Sequence, residues 1–374
     1  MVEWKKLGEV EAQGVLSLGR GQIISKLDMQ NCPGDFPVYS SSSQGNGEIG
    51  RYGRYMFDDE RITWSIDGGG RLFYRNNEKY SVTNVCGWLK VNKPEVLSTR
   101  FLYFSLYDQW SNITFDYNHK AHPSVIRNEY LIPLPSLSEQ ERIVGILDTF
   151  TSSIENLKAQ ISLRRKQYEH YRDKLLDLEG KQKKIGELTT IFSCPRVYRE
   201  QWQNHGVPFW RSSDVMSFHN GQKNPRGEAF ISQELYEELS QKSNKIEEGD
   251  LLVTGGGSIG IPYLKKDNKP LFVKDADLIC IKKCECLIPA FLYHYFLSTE
   301  FKLYLKKITH DATIAHYTIG QITDTPIPLP SLQEQSRIVS ILDEFEASIK
   351  NLEAQLEARE KQYEYYRNKL LTFE

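Results

Sequence analysis

Two stretches decide the reading of this chain: LPSLSEQERIVGILDTF at Leu134–Phe150 and LPSLQEQSRIVSILDEF at Leu329–Phe345. The likeness runs far past these openings. Pro133 to Glu179 aligns without a gap on Pro328 to Glu374, with about two-thirds of positions identical, which marks an internal repeat. The ends are nearly verbatim, KQYEHYRDKLL at Lys166–Leu176 and KQYEYYRNKLL at Lys361–Leu371. Fainter echoes extend the repeat upstream. KKLGEV from Lys5 matches KKIGEL from Lys183, DGGG from Asp67 matches TGGG from Thr254, and FLYFSL from Phe101 matches FLYHYFL from Phe291. The spacing between copies widens steadily, as small insertions in the second half would make it. One half is therefore written twice: a variable region of ordinary domain size, then a near-constant segment.

The constant segment reads as a long helix. Ser136 with Glu139, and Ser331 with Glu334, form S-x-x-E capping boxes behind a proline. Apolar residues then alternate in steps of four and three: Ile143, Leu147, Phe150, Ile154, Leu157, Ile161, Tyr168, Tyr171 in one copy, and Ile338, Leu342, Phe345, Ile349, Leu352, Leu356, Tyr363, Tyr366 in the other. That period, sustained over the whole segment, is a coiled-coil seam. About 40 residues would make a rod of roughly 60 Å. The seam skips one position in each copy, occupied by Arg164 and Arg359. An arginine there either sets register or lets its charge escape from a frayed seam. One such helix cannot bury its stripe alone, so the simplest solution pairs the two copies. The periodicity leaves parallel and antiparallel pairing open.

The variable regions look strand-rich. ERITWSI and SVTNVCGWLKV carry β-branched and aromatic residues between turn signals such as QGNG and DGGG, and a helix is expected near Val96–Tyr107. In the second half DLLVT leads into GGGSIG, then LFVKDADLICIKK, then an apolar helix around Phe291–Lys306. The expected class is α+β: two similar strand-rich domains, residues 1–132 and 181–327, separated by two long helices, residues 133–180 and 328–374, in a pseudo-two-fold repeat.

Composition narrows the function. Six cysteines in 374 residues are too few for a disulfide scaffold and suggest a reducing, cytoplasmic setting. The start, MVEWKKLGEV, has no apolar signal core, and no uncharged run is long enough to span a bilayer. The net charge of −2 lacks the basic surplus of a protein that holds nucleic acid by itself.

Two variable domains, each followed by a PLPSLxEQxRIVxILD…KQYExYRxKLL helix, resemble the specificity (S) subunit of type I restriction-modification systems. The resemblance covers essentially the whole chain. It implies that each variable domain is a target-recognition domain reading one half of a bipartite, asymmetric DNA site. It implies that the long helices pair antiparallel as a spacer, and that two modification (M) subunits dock on them. Those subunits would bring S-adenosylmethionine and methylate adenine at N6. Restriction (R) subunits, using ATP and Mg, can join and cut unmethylated DNA. The S subunit itself would carry no cofactor, no metal and no active site.

Candidate DNA contacts follow from residue type and position. RYGRYMF places Arg51 and Arg54 among aromatics, where they could reach phosphates or guanine edges; an exposed strand with ordinary cross-strand pairs is the plainer reading. Gly69 and Arg71 belong to the first glycine cluster, and Thr254, Gly256, Ser258 and Lys265 lie in or just after the second. Lys120 and His122 (KAHPSVI), and His316 and Tyr317 (IAHYTIG), precede the closing LPxL of each half. GGGSIG formally matches a dinucleotide fingerprint, but Pro270 follows too soon for the required helix and DGGGRLF lacks the pattern. A tight loop that lets backbone approach DNA fits both clusters better. Cys284 and Cys286 lack the second pair that a zinc site needs and read as packed thiols. The sequence contains no [DNS]-PP-[YFW] base-holding segment and no Walker A motif. A self-contained methyltransferase is therefore disfavoured. A pure coiled-coil interaction protein would leave the two matched glycine clusters unexplained.

Overall fold

A computed structural model describes residues 2–42, 45–116, 118–178, 180, 182–222, 229–309 and 316–373. The chain divides into two compact units, Met1–Lys158 with Ala354–Glu374, and Ala159–Glu353. Each unit contains one variable region, the start of one long helix and the end of the other.

The first variable region runs β1 (Glu3–Lys6), α1 (Leu7–Ala12), β2 (Leu16–Arg20), α2 (Lys26–Asn31), β3 (Phe36–Tyr39), β4 (Glu48–Tyr52), β5 (Arg61–Ser65), β6 (Leu72–Arg75), β7 (Ser81–Val82), β8 (Cys86–Val91), α3 (Thr99–Trp110), α4 (Pro123–Glu129) and β9 (Leu131–Leu134). The long helix α5 (Leu137–Leu176) follows. Among the described residues these form three small sheets: β1-β9, the four-stranded β2-β8-β5-β6, and the three-stranded β4-β3-β7. Most neighbours are antiparallel, but β3 pairs with β7 in parallel, Val38 opposite Ser81. Strand β5 is buried along its whole length, as expected for a strand with sheet on both sides. Trp64 and Ile62 from β5 meet Leu89 from β8 and Phe101, Leu102 and Phe104 from α3 in one core. Burying each such side chain stabilises the fold by about 1.5–3 kcal/mol.

The second variable region repeats this plan: β10 (Gln182–Lys184), α6 (Ile185–Leu188), β11 (Ile191–Phe192), β12 (Val207–Trp210), α7 (Ser212–His219), β13 (Phe230–Ile231), α8 (Gln233–Lys242), β14 (Leu251–Thr254), β15 (Pro262–Leu264), β16 (Phe272–Val273), β17 (Leu278–Ile281), α9 (Pro289–Leu297), α10 (Thr299–Ile308), α11 (Ile319–Thr323) and β18 (Pro326–Pro328). The second long helix is α12 (Leu332–Leu371). The sheets are β10-β18, β11-β17-β14-β15 and β13-β12-β16, the same orders as in the first region. The parallel pairing recurs too, β12 beside β16. Among the described residues, helices α7 and α8 have no counterpart in the first region. The apolar helix expected around Phe291–Lys306 is two helices, because Ser298 ends α9 and caps α10, its hydroxyl accepting from the Phe301 N–H at 3.2 Å. Strand β15, not a helix, follows GGGSIG.

Each unit pairs the two long helices antiparallel. In the first, Phe150 faces Tyr366 and Lys158 faces Glu360. In the second, Arg165 faces Glu353 and Tyr171 faces Phe345. Residue numbers rise on one helix as they fall on the other. The apolar stripe is not uniform, however. Ile143 and Leu147 are fully buried in the first domain core, and Ile338 and Leu342 in the second. Ile154, Ile161 and Tyr168 are buried, while Phe150, Leu157, Phe345, Ile349, Leu352 and Tyr363 are half-buried and Tyr171 and Tyr366 exposed. The start of each helix is thus domain core, the end packs into a core too through Tyr168 and Leu176 in one copy and Leu371 in the other, and only the middle is a helix–helix seam. Among the described residues no helix is long and apolar enough to cross a membrane.

Candidate functional site

The glycine clusters form matched loops. In the first unit the chain turns from β5 to β6 through Gly69 and Gly70, both at positive φ (79° and 71°), where a side chain would be strained. The Ser65 hydroxyl donates to the Gly68 carbonyl at 2.9 Å and accepts from the Arg71 N–H at 3.1 Å. Trp110 Nε1 donates to the Gly69 carbonyl at 2.8 Å, and Trp64 Nε1 to the Ala121 carbonyl at 2.7 Å. The Ala121 N–H in turn donates to the Ile66 carbonyl at 3.2 Å. The Trp110 indole therefore ties the loop to α3, while the Trp64 indole and the Ile66 carbonyl hold the segment carrying Lys120 and His122 at the base of the loop. Lys120 pairs with Asp67 at 3.0 Å. His122 is exposed, and its Nδ1 lies 2.9 Å from the Ser124 hydroxyl at the start of α4.

The second unit repeats this juxtaposition with other side chains. The Gly255 carbonyl accepts from the Tyr317 N–H at 2.9 Å, which places exposed His316 beside Gly256. Gly257 and Ser258 form the exposed tip. Gly256 is buried behind that tip, and three further proposed contacts face inward instead. Thr254 is fully buried; its hydroxyl donates to the Ser258 carbonyl at 2.5 Å and accepts from the Ile261 N–H at 2.9 Å. Tyr317 is fully buried with its hydroxyl bonded to that of Thr325. Lys265 is 3% exposed and spends its ammonium on Asp267. These three shape the loop from within and present nothing to a ligand, because their polar atoms are already bonded inside the fold.

Around β4, Arg51 donates to Glu48 at 3.1 Å and to the Asp35 carbonyl at 2.9 Å, so the strand itself uses its guanidinium. Arg54 is exposed, and its side chain makes no hydrogen bond or ion pair among the described residues. Arg71 is half-buried over the Phe73 ring. Arg75, absent from the sequence-derived candidates, is 5% exposed; it stacks over Tyr39 at 3.4 Å and donates to the Asn46 carbonyl at 2.6 Å. Burial lowers its pKa from the usual arginine value. It thereby holds the turn at Asn46 that leads into β4.

The long helices are fastened to each domain by residues the apolar pattern does not reveal. Gln140, fully buried, accepts from the Ser98 N–H at 2.9 Å and donates to the Val96 and Pro135 carbonyls at 2.9 and 3.0 Å. Gln335 does the same with the Ile288 N–H (2.8 Å) and the Cys286 and Pro330 carbonyls (3.0 Å each). The signal was its identity in both copies. The capping boxes form by half: the Ser136 and Ser331 hydroxyls accept from the Glu139 and Glu334 N–H groups. Both glutamate carboxylates instead hold Arg142 and Arg337 in two-pronged pairs. Those hydrogen bonds lower the carboxyl pKa values.

Arg164 and Arg359, the two breaks in the apolar seam, behave alike. Phe345 stacks on Tyr171 at 5.4 Å with the Arg164 guanidinium 5.7 Å from its ring. Phe150 stacks on Tyr366 at 5.4 Å with Arg359 at 5.7 Å. Each phenylalanine thus meets a tyrosine and an arginine of the other helix, at distances suited to cation–π attraction.

The sequence pattern of the type I restriction modification DNA specificity domain matches residues 1–164 and again residues 179–359. The chain belongs to this family. DNA sequence recognition within restriction-modification complexes is the family's role, and its specificity subunits are non-catalytic. A putative type I restriction enzyme specificity subunit of Haemophilus influenzae is 30% identical, covering 100% of this chain and 96% of its own. A putative type I specificity subunit of Mycoplasma pneumoniae is 29% identical over 95% of each chain. The S subunit of a type I system from M. genitalium superposes with a TM-score of 0.66 at 15% identity, covering 99% and 96% of the two chains. That last likeness is one of fold. The two target-recognition domains of this specificity protein are the two regions whose sheets share one strand order.

Proposed function

We propose that residues 1–132 and 181–327 each read one half of a bipartite, asymmetric DNA site, and that residues 133–180 and 328–374 set the spacing between half-sites and dock two modification subunits. The observation that carries this reading is the recurrence of one device, a glycine loop bonded to a histidine-bearing segment, in two domains whose surrounding side chains differ. Equal scaffolds with unequal tips suit two different readers. The contact set comprises Arg54, Gly69, Arg71, Lys120 and His122 in one domain, and Ser258 and His316 in the other, with Arg51 at the margin of the first and Gly256 left out because it is buried. Glycine tips let backbone approach the duplex, while side chains supply base-edge contacts. S-adenosylmethionine would sit on the modification subunits, and ATP and Mg on restriction subunits where these join. The assembly would act in the cytoplasm.

With a net charge of −2, the chain lacks the positive surplus that phosphate neutralisation requires. It should therefore bind DNA weakly until modification subunits close around the duplex. Sequencing methylated adenines in cells with and without the gene tests the function. Loss of one bipartite motif is expected; an unchanged methylome contradicts the reading.

A further inference from the structure

The two copies of the long helix differ most tellingly where they touch. Lys158 and Glu353 occupy the same position of the repeat, as do Arg165 and Glu360. Across the antiparallel pair, Lys158 meets Glu360 at 2.8 Å and Arg165 meets Glu353 at 2.5 Å. The first copy is therefore basic at both facing positions and the second acidic. Pairing two first copies would set Lys158 against Arg165 at both crossings, and pairing two second copies would set Glu353 against Glu360.

A second difference lies at the buried ends. Arg172 and Arg367 share a repeat position and are 5% and 11% exposed as side chains. The next residue is Asp173 in one copy and Asn368 in the other. In the second unit Arg172 pairs with Asp173 at 2.8 Å, and the same carboxylate accepts from the Thr299 N–H (3.0 Å) and hydroxyl (2.6 Å) at the start of α10. In the first unit the carboxylate comes from the domain instead. Asp108 accepts from Arg367 Nε at 2.8 Å, and the Asn368 amide, oriented to donate, lies 3.0 Å from it. Each unit thus supplies one carboxylate to the buried arginine at its helix end. Two first-type halves together would crowd Asp108 and Asp173 around one guanidinium. Two second-type halves would leave Arg367 without its acid, a costly state for a buried charge.

We propose that these four positions form an assembly code that makes each long helix accept the other copy and reject its own kind. The exposed pairs act chiefly through like-charge repulsion in the wrong pairing, as at the flanking positions of coiled coils. The buried arginine-carboxylate sites add the larger discrimination. The code bars an arrangement with two identical variable domains, and it stands independently of which loop residues contact DNA.

Two cycles on the full chain test it, each read by thermal melting. In the first, Lys158→Glu with Arg165→Glu, and separately Glu353→Lys with Glu360→Lys, should each lower the midpoint by about 2 °C or more, and the fourfold variant should recover it. In the second, Asp108→Asn and Asn368→Asp should each lower the midpoint. Together they should restore it, because the carboxylate then sits on the helix as it does beside Arg172. A pair that fails to fold still reports, since its compensated partner must then regain the folded state. Neutral pairs in either cycle, or losses that simply add, would overturn the proposal.

Discussion

Asp148 and Asp343 hold the same place in two nearly identical helices, yet they grip different things. In the first unit Asp148 takes Arg100 at 2.6 Å, a guanidinium that also lies over the rings of Tyr74 and Phe104. In the second, Asp343 accepts from His294 Nε2 at 3.0 Å, while the other ring nitrogen lies 3.0 Å from the Tyr168 hydroxyl. The histidine is fully buried and stands where the first half has Phe104; the second half has Ala290 where the first has Arg100. The constant helix thus offers one carboxylate, and each variable domain answers it with its own chemistry. By contrast Gln140 and Gln335 bond only backbone, so no change in domain side chains disturbs them. A helix that must serve dissimilar domains relies first on main-chain partners and lets side-chain partners drift.

Breaking the glutamine clamp should have the greatest effect, and an equal one in both halves. Gln140→Leu or Gln335→Leu removes three buried hydrogen bonds and orphans an N–H, and should cost about 3 kcal/mol in urea unfolding. Unequal losses would break the symmetry of the two halves. Arg100→Ala, which gives the first half the residue found in the second, should cost about 2 kcal/mol through the lost pair and ring contacts. The same measurement on a variant lacking Asp148 should show that the two losses do not add.

His294→Phe sharpens the other side of the comparison. The His294 hydrogen bond holds the Asp343 carboxyl below its usual 3.8. A group whose folded pKa is depressed stabilises the fold above its unfolded value, and that stability is lost as pH falls through the folded value. The wild-type chain should therefore lose stability on acidification below about pH 4 more steeply than His294→Phe. Matching acid limbs would remove His294 as the anchor. The smallest expected effect on the fold is at the loop histidines. His122→Ala and His316→Ala should leave unfolding nearly unchanged while weakening recognition of one half-site each by about 1 kcal/mol, read as methylation at sites altered in that half.

Much of this molecule was written in its period and repeats. The heptad stripe foretold helices at Leu137–Leu176 and Leu332–Leu371 because a spacing held for five heptads has few other solutions. The glycine clusters foretold matched loops. What escaped was long-range pairing. Nothing local distinguishes Gln140 from a surface glutamine, since its partners at Val96 and Ser98 lie far back in the chain. Thr254, Lys265 and Tyr317 read as polar tips because type alone does not reveal burial, which is decided by neighbouring strands and by an acid two residues from Lys265. The parallel contacts of β3 with β7 and β12 with β16 involve strands as short as two residues, below what alternation can register.

The decisive measurement is a domain exchange read by adenine-methylation sequencing. Residues 11–132 are replaced by the corresponding region of another specificity subunit, leaving both long helices and the second domain as they are. The methylated motif should change in one half only, with the other half and the intervening spacing preserved. A motif altered in both halves, or in neither, would contradict a molecule built as two independent readers on one shared pair of helices.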